Sequence, residues 1–286
     1  MLAKSVKLAS SRQFLIRNLF YSTTNSSNEC YLERLQGKDE GISLIHMNRA
    51  ARKNSLGKTF MKQFRQILDD VKFDNKTRVI ILKSAVPGTF CTGADLKERK
   101  EMAVDEVPKF VDSLRNSFTD LEKLPQPVIA AIDGFALGGG LELALACDIR
   151  VASKTSKLGL VETKWALIPG AGGSQRLSRV IGPAKAKELI FTAEIFDGEQ
   201  AAQLGVVNHV ADDSLGKSLE IARKIIPRGP IAVRMAKLAI NLGSQTDINS
   251  ALTVEQQCYA QIVPTKDRIE GLKAFAEKRE PIYKGE

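Results

Sequence analysis

The segment Val128–Asp148, VIAAIDGFALGGGLELALACD, admits few local structures. Val128–Ile132 is apolar throughout, the composition of a strand buried on both faces. Asp133-Gly134 is a turn pair. Three consecutive glycines, Gly138–Gly140, then precede LELALA, a run of strong helix formers. The expected structure is a strand, a turn and a glycine-lined helix start. Such a start gathers unpaired backbone N–H groups and the positive end of the helix dipole. Glu142 falls in the first turn of that helix, two residues beyond the last glycine. A carboxylate beside a cluster of N–H donors suits proton transfer next to a developing oxyanion. The competing reading is close backbone packing, with Glu142 an exposed helix carboxylate.

Glycine-rich strand-to-helix turns also bind phosphates, but neither nucleotide motif is present. The chain has no G-x-x-x-x-G-K-[ST], and Gly170-Ala171-Gly172 fails as a dinucleotide fingerprint because Gln175 holds the last glycine position. Nucleophilic hydrolysis lacks its G-x-S-x-G elbow. The two histidines, His46 and His209, sit in separate strand-like runs, so no metal site is expected.

Two carboxylates near one double bond are the minimum for adding water across it, one to activate the water and one to deliver the second proton. Glu142 and Glu162 are the candidate pair: each follows a strand, has glycines nearby and is flanked by apolar residues that would raise its pKa. Glu162 alone reads equally well as a surface residue. A second N–H donor is needed to share the oxyanion, and Gly93-Ala94-Asp95 offers one, with the Ala94 N–H facing that of Gly139. The same turn reads as an ordinary helix start capped by Asp95.

The chain as a whole is an ordinary α/β protein. At 286 residues, with 43% hydrophobic and 26% charged residues, it has the composition of a soluble globular protein. No apolar run approaches the roughly 18 residues of a membrane span. Cys30, Cys91, Cys147 and Cys258 are scattered, which suggests reduced thiols. Residues 1–28 hold Lys4, Lys7, Arg12 and Arg17, no acidic residue and many serines and threonines, as a mitochondrial transit peptide does. They account for four of the nine net positive charges, leaving +5 for the rest. Strand and helix patterns alternate through residues 29–210, and residues 211–286 read as helices. The pattern predicts strands at Cys30–Leu35, Ile42–Met47, Val79–Leu82, Ile149–Ala152, Leu158–Leu160 and Val206–Val210. Amphipathic helices are expected over Leu56–Asp74 and Val107–Leu124.

FCTGADLKE, IAAIDGFALGGGLELALACDIRVA, GLVE and IPGAGGSQRL, in that order, resemble the enoyl-CoA hydratase/isomerase (crotonase) superfamily. The resemblance covers roughly Tyr31 to Glu286. It implies a spiral of ββα turns with a helical C-terminal trimerisation region, assembled as homotrimers or homohexamers. It also implies a mitochondrial matrix enzyme acting on a coenzyme A thioester without a separate cofactor. Carried onto matching positions, Ala94 and Gly139 would form the oxyanion hole, Glu142 and Glu162 the catalytic pair, and Gly170 would help hold the reacting water. Asp95, Leu96 and Lys97 would line the path of the coenzyme. Ala50, Arg52 and Lys53, with Phe275 and Lys278, would lie near its phosphates and adenine. Retention of both glutamates favours a hydratase over the superfamily's isomerases and decarboxylases. The acyl chain stays open between 3-methylglutaconyl and short straight chains.

One member of the superfamily binds AU-rich RNA through a lysine-bearing helix, and RNA binding is therefore the alternative function. Lys58, Lys62 and Arg65 share one face of the helix expected at Leu56–Asp74. Gln66 stands where a third lysine is expected. A solvated basic face is the competing reading.

Overall fold

The computed structural model describes residues 28–286. The transit segment expected at 1–28 lies outside the described residues apart from Asn28. Among the described residues, ten strands form two sheets. The larger has the order β1 (Cys30–Arg34), β2 (Ile42–Met47), β3 (Val79–Ser84), β5 (Val128–Ile132), β7 (Ile149–Ser153) and β10 (His209–Ala211). The smaller has the order β4 (Thr89–Cys91), β6 (Phe135–Leu137), β8 (Lys157–Gly159) and β9 (Phe196–Asp197). The pairs β3/β4, β5/β6 and β7/β8 each give one strand to the large sheet and the next to the small one. A helix or helical turn then leads to the following pair, which is the expected spiral of ββα turns.

The large sheet is buried on both faces, and its residues say why. Ile45, Ile80, Leu82 and Val128 point into the main core with Phe60, Phe64 and Phe118 from helices α1 (Lys58–Lys72) and α3 (Glu106–Glu122). Ile42, Val79, Ile129 and Val151 point the other way. There they pack under α8 (Ser214–Ile225), whose Leu215 and Leu219 close a second cluster. Fully apolar strands such as VIAAI therefore never meet water.

The amphipathic helices follow their sequence pattern: α1 buries Phe60, Met61, Phe64, Ile67, Leu68 and Val71. The short strands of the small sheet depart from it. Gly138–Gly140 do not follow the VIAAI strand directly, because the chain turns at Asp133-Gly134 and first lays down β6. Gly134 makes that turn at φ +72°, and a Cβ there would sit 2.0 Å from the Gly88 backbone. The strand expected at Val206–Val210 begins only at His209, since the N–H groups of Val206 and Val207 are held by the Ala201 carbonyl instead.

After α8 come α9 (Pro230–Gly243), α10 (Ile248–Ile262) and α11 (Lys266–Glu277). α9 has no fully buried residue, and Ile240, Ile248, Leu252 and Tyr259 are exposed. The helices are fastened to the core at Lys237, whose ammonium donates to Asp148 at 2.7 Å and to the Gln126 carbonyl at 2.9 Å.

Candidate active site

β4, β6 and β8 lie side by side and parallel, so their C-terminal ends share one edge of the small sheet. The loops leaving them hold Gly93–Asp95, Gly138–Glu142 and Leu160–Trp165. A ligand site at the carboxyl ends of parallel strands follows from this topology. The loops are stitched together by the backbone: Gly138 N–H donates to the Gly159 carbonyl at 2.8 Å, and Leu56 N–H to the Gly93 carbonyl at 2.8 Å. They also touch. A Cβ on Gly140 would lie 2.1 Å from the Cys91 carbonyl oxygen, and one on Gly139 would lie 3.6 Å from the Ala94 nitrogen. The N–H groups of Ala94 and Gly139 donate to no acceptor among the described residues. Helix α4 (Gly139–Leu145) starts at this point, so its positive end adds to the donor pair.

Glu142 is fully buried, in the first turn of α4. Its Oε1 accepts from Ala171 N–H at 2.9 Å and from Gly173 N–H at 2.7 Å. Burial pushes its pKa up, and the Gly173 and Ala171 donors work against that rise. Glu162 opens a short helical turn, Glu162–Trp165. Its carboxylate lies over Gly138, where a Cβ would come within 3.2 Å of Oε1. Its Oε2 is buried with no hydrogen-bond partner. Burial, and next the negative charge of Glu142, push its pKa up to about 7. The pair is thus one fastened carboxylate and one free carboxyl that holds its proton near neutrality.

Both glutamates, Ala94, Gly139 and Gly170 line one cavity of about 370 Å³, whose other walls include Leu96, Val107, Val111, Leu114 and Ile168. Gly170 accepts from Arg115 Nε at 3.1 Å through its carbonyl. Lys53 lies beside this cavity, since its carbonyl accepts from the N–H of Thr92, a lining residue. Ala50, Arg52, Lys53 and Lys97 are solvent-exposed. The Asp95 side chain is spent within the chain. Its carboxylate is buried, caps α2 (Leu96–Glu101) by accepting from Lys97 and Glu98 N–H, and pairs with Arg49 at 2.7 Å. The capping reading of that turn is the one its side chain follows. Phe275 and Lys278, at the end of α11, are exposed and do not line the cavity.

The basic helix face is not a free row of cations. Arg65 is turned toward α3, donating from Nε to Ser117 Oγ at 2.9 Å and from Nη2 to the Ser113 carbonyl at 3.2 Å. Lys58 is 3.7 Å from Glu106, leaving Lys62 without an ion pair among the described residues. Ala171, Gly173, Arg99 and Arg115 are site residues that the sequence reading passed over. The glycine-rich loop through Gly173 was the available signal for the first two. Among the described residues no cluster of His, Cys, Asp and Glu is placed to hold a metal, and no helix is long and apolar enough to cross a membrane.

Residues 37–286 match the family described as enoyl-CoA hydratase/isomerase. Human mitochondrial methylglutaconyl-CoA hydratase is 52% identical over 273 residues, 93% of this chain and 80% of that protein. Human enoyl-CoA hydratase domain-containing protein 2 is 48% identical over 264 residues, 90% of each chain. The crystal structure of an enoyl-CoA hydratase from Bacillus anthracis superposes with a TM-score of 0.87 at 46% identity, covering 91% of this chain and all of the other. With its ββα spiral and its paired glutamates in one cavity, this chain belongs to the enoyl-CoA hydratase/isomerase family.

Proposed function

We propose that this chain adds water across the α,β double bond of an enoyl-CoA thioester, with Ala94, Gly139, Glu142 and Glu162 as the working groups. The observation that carries the assignment is the enclosure of two unlike carboxyl groups and two unpartnered N–H donors in one apolar cavity. The thioester carbonyl accepts from Ala94 and Gly139 N–H, which draws electron density from the β-carbon and stabilises the enolate-like state. Glu142 takes a proton from water as its oxygen bonds to the β-carbon. Its two backbone donors favour the ionised form that a base needs. Glu162, protonated near neutral pH, gives its proton to the α-carbon. The next turnover requires return of the proton from Glu142 to Glu162, so one water is consumed and no other reagent.

Coenzyme A arrives as part of the substrate, and the chemistry asks for no separate cofactor. Lys53 and Lys97, with Arg52, supply positive charge near the cavity for its phosphates. The relatives named for methylglutaconyl-CoA put a branched acyl chain ending in a carboxylate beside short straight chains as candidate substrates. The exposed apolar side chains of α9 to α11 are covered by further copies in a homotrimer or a pair of trimers. Phe275 and Lys278 then reach the coenzyme from a neighbouring copy. We place residues 29–210 as the catalytic spiral, 211–286 as the oligomerisation region and 1–28 as the address to the mitochondrial matrix. RNA binding is not favoured, given the commitments of Arg65 and Lys58.

The test is turnover of crotonyl-CoA by the purified chain lacking residues 1–28, followed by loss of the enoyl-thioester absorbance. Hydration abolished by Glu142→Gln and by Glu162→Gln supports the assignment. An unmodified chain that hydrates no enoyl-CoA of a short-chain panel removes it.

A further inference from the structure

Two peptide groups aim the carboxylate of Glu142, and each is held from its other end. The Gly170–Ala171 peptide donates its N–H to Glu142 at 2.9 Å, while its carbonyl accepts from Arg115 Nε at 3.1 Å. The Gly172–Gly173 peptide donates its N–H to Glu142 at 2.7 Å. Its carbonyl accepts from the N–H groups of Gln175 at 3.1 Å and Arg176 at 2.8 Å, where helix α5 (Gly173–Ile181) begins. Between the two, the Ala171 carbonyl accepts from Arg176 Nη1 at 3.1 Å. The guanidinium is fixed in turn by α3: Nη2 donates to Glu122 Oε2 at 2.8 Å and Nε to the same oxygen at 3.3 Å. Gly172, at φ +108°, makes room for it, since a Cβ there would collide with Nη1.

Three glycines in the four residues Gly170–Gly173 leave this loop little stiffness of its own. Outside ties therefore decide where its N–H groups point. A peptide whose carbonyl accepts a hydrogen bond also donates a stronger one from its N–H. Charge acts in the same sense. Burial raises the pKa of Glu142, the Gly173 and Ala171 donors oppose the rise, and the cations Arg176 and Arg115 oppose it further. Arg115 has 51% of its side chain in solvent and Asp112 at 3.4 Å. The Arg176 side chain is only 12% exposed, so water screens its charge less. The other charged groups facing Glu142 are Glu162 and, from α2, Arg99.

We propose, on the hydratase reading of Glu142 as the base, that Arg176 is its positioning residue. One guanidinium joins the Ala171 carbonyl to Glu122 of α3, keeps two N–H groups on Glu142 and sets a positive charge beside the loop. Loss of that guanidinium frees the loop from α3 and weakens both donors. Glu142 then takes up a proton at higher pH, nearer to where Glu162 gives one up, and the two acids become alike. Lysine in its place keeps the charge but has no planar fork to reach both acceptors.

The test follows the ionisation of Glu142 in two ways, on the chain lacking residues 1–28. In Glu162→Gln, the infrared band of the protonated Glu142 carboxyl is read as the difference from the double variant that also carries Glu142→Gln. Adding Arg176→Met should raise the midpoint by about one pH unit. Adding Glu122→Gln, which removes the opposing charge and keeps an acceptor for Arg176, should not raise it. With Glu162 intact, the acid limb of kcat/KM for crotonyl-CoA should move up by a similar amount in Arg176→Met. There kcat at the pH optimum should fall by about 10-fold. Arg176→Lys should return the limb to its place and leave kcat low. A midpoint and a limb that stay in place in Arg176→Met overturn the inference, whatever happens to stability, and so does a rise in Glu122→Gln. If the midpoint moves but the unmodified chain hydrates no enoyl-CoA, the hydratase reading fails and the hold of Arg176 on Glu142 stands. Should Arg176→Met not fold, Arg176→Lys decides: low kcat with the limb in place supports the inference, and unaltered kcat overturns it.

Discussion

The turn that carries Glu142 and the turn that carries Glu162 make opposite use of the same residue type. Glu142 is buried in a helix start and takes two backbone donors from the Ala171–Gly173 loop. Glu162 sits on a short helical turn, with one oxygen buried and unbonded. Two donors favour an ionised carboxylate, whereas burial with one oxygen unbonded and a negative neighbour favours the neutral acid. In the reaction proposed above, identical side chains would serve as base and acid because the backbone treats them differently: burial raises the pKa of both, and only Glu142 has the Ala171 and Gly173 donors working against that rise.

The largest effect that sharpens this contrast is loss of either carboxyl. Glu142→Gln and Glu162→Gln should each lower kcat for crotonyl-CoA hydration by about 10³-fold or more, with circular dichroism unchanged. A mutant that keeps its rate would break the division of labour. Next comes the seat of the base. A Cβ at Gly173 would lie 2.8 Å from Glu142 Cγ. Gly173→Ala should therefore displace the carboxylate and lower kcat by about 10²-fold, read under saturating substrate.

The acid side makes a pH prediction. Glu162 has its pKa raised from 4.5 to about 7, so the native protein holds this proton more tightly than the unfolded chain does. The contribution to stability is full below 4.5 and is lost as pH rises through about 7, while the proton needed for catalysis leaves over the same upper limb. Hydration should accordingly fall above pH 7. Glu162→Gln, which mimics the neutral acid, should be more stable than the unmodified protein at pH 8 by about 1–3 kcal/mol in thermal melts. In Glu142→Gln the Glu162 titration, followed by NMR, should move down from about 7, because a charge that raised it is gone. No movement would mean that burial acts alone. The smallest expected effect concerns the anchor of the Glu162 turn. Thr163 Oγ1 donates to the Ile190 carbonyl at 2.6 Å, in helix α6 (Pro183–Thr192). Thr163→Val should cost about 1 kcal/mol of stability and change kcat by less than about 3-fold.

Much of this site was legible as residues. Three glycines before a helix-forming run mark a helix start with free donors, and Glu142, in the first turn, is the acidic residue buried beside them. Strands β4 and β6 were not legible, because three residues are too few to show a period. Those strands decide which loops are neighbours, so the closeness of Ala94 to Gly139, expected from two glycine-bearing helix starts, needed the small sheet to bring it about. Asp95 shows the same limit: the partner of its carboxylate, Arg49, lies 46 residues away in sequence, beyond any local pattern. Arg99 shows it again, since a charge within LKERKEM reads as surface until its Nε is found buried.

Composition and local pattern are short-range properties, and they suffice for the apolar strands, the amphipathic helices, the glycine-lined helix start and the identity of the two acids. Pairing of strands far apart along the chain is a long-range property. It alone decides that Glu162 lies over Gly138, that the Gly173 loop grips Glu142 and that Arg99 is left with an empty hand. A proton affinity depends on what surrounds a group, which no stretch of residues contains until the chain has folded around it.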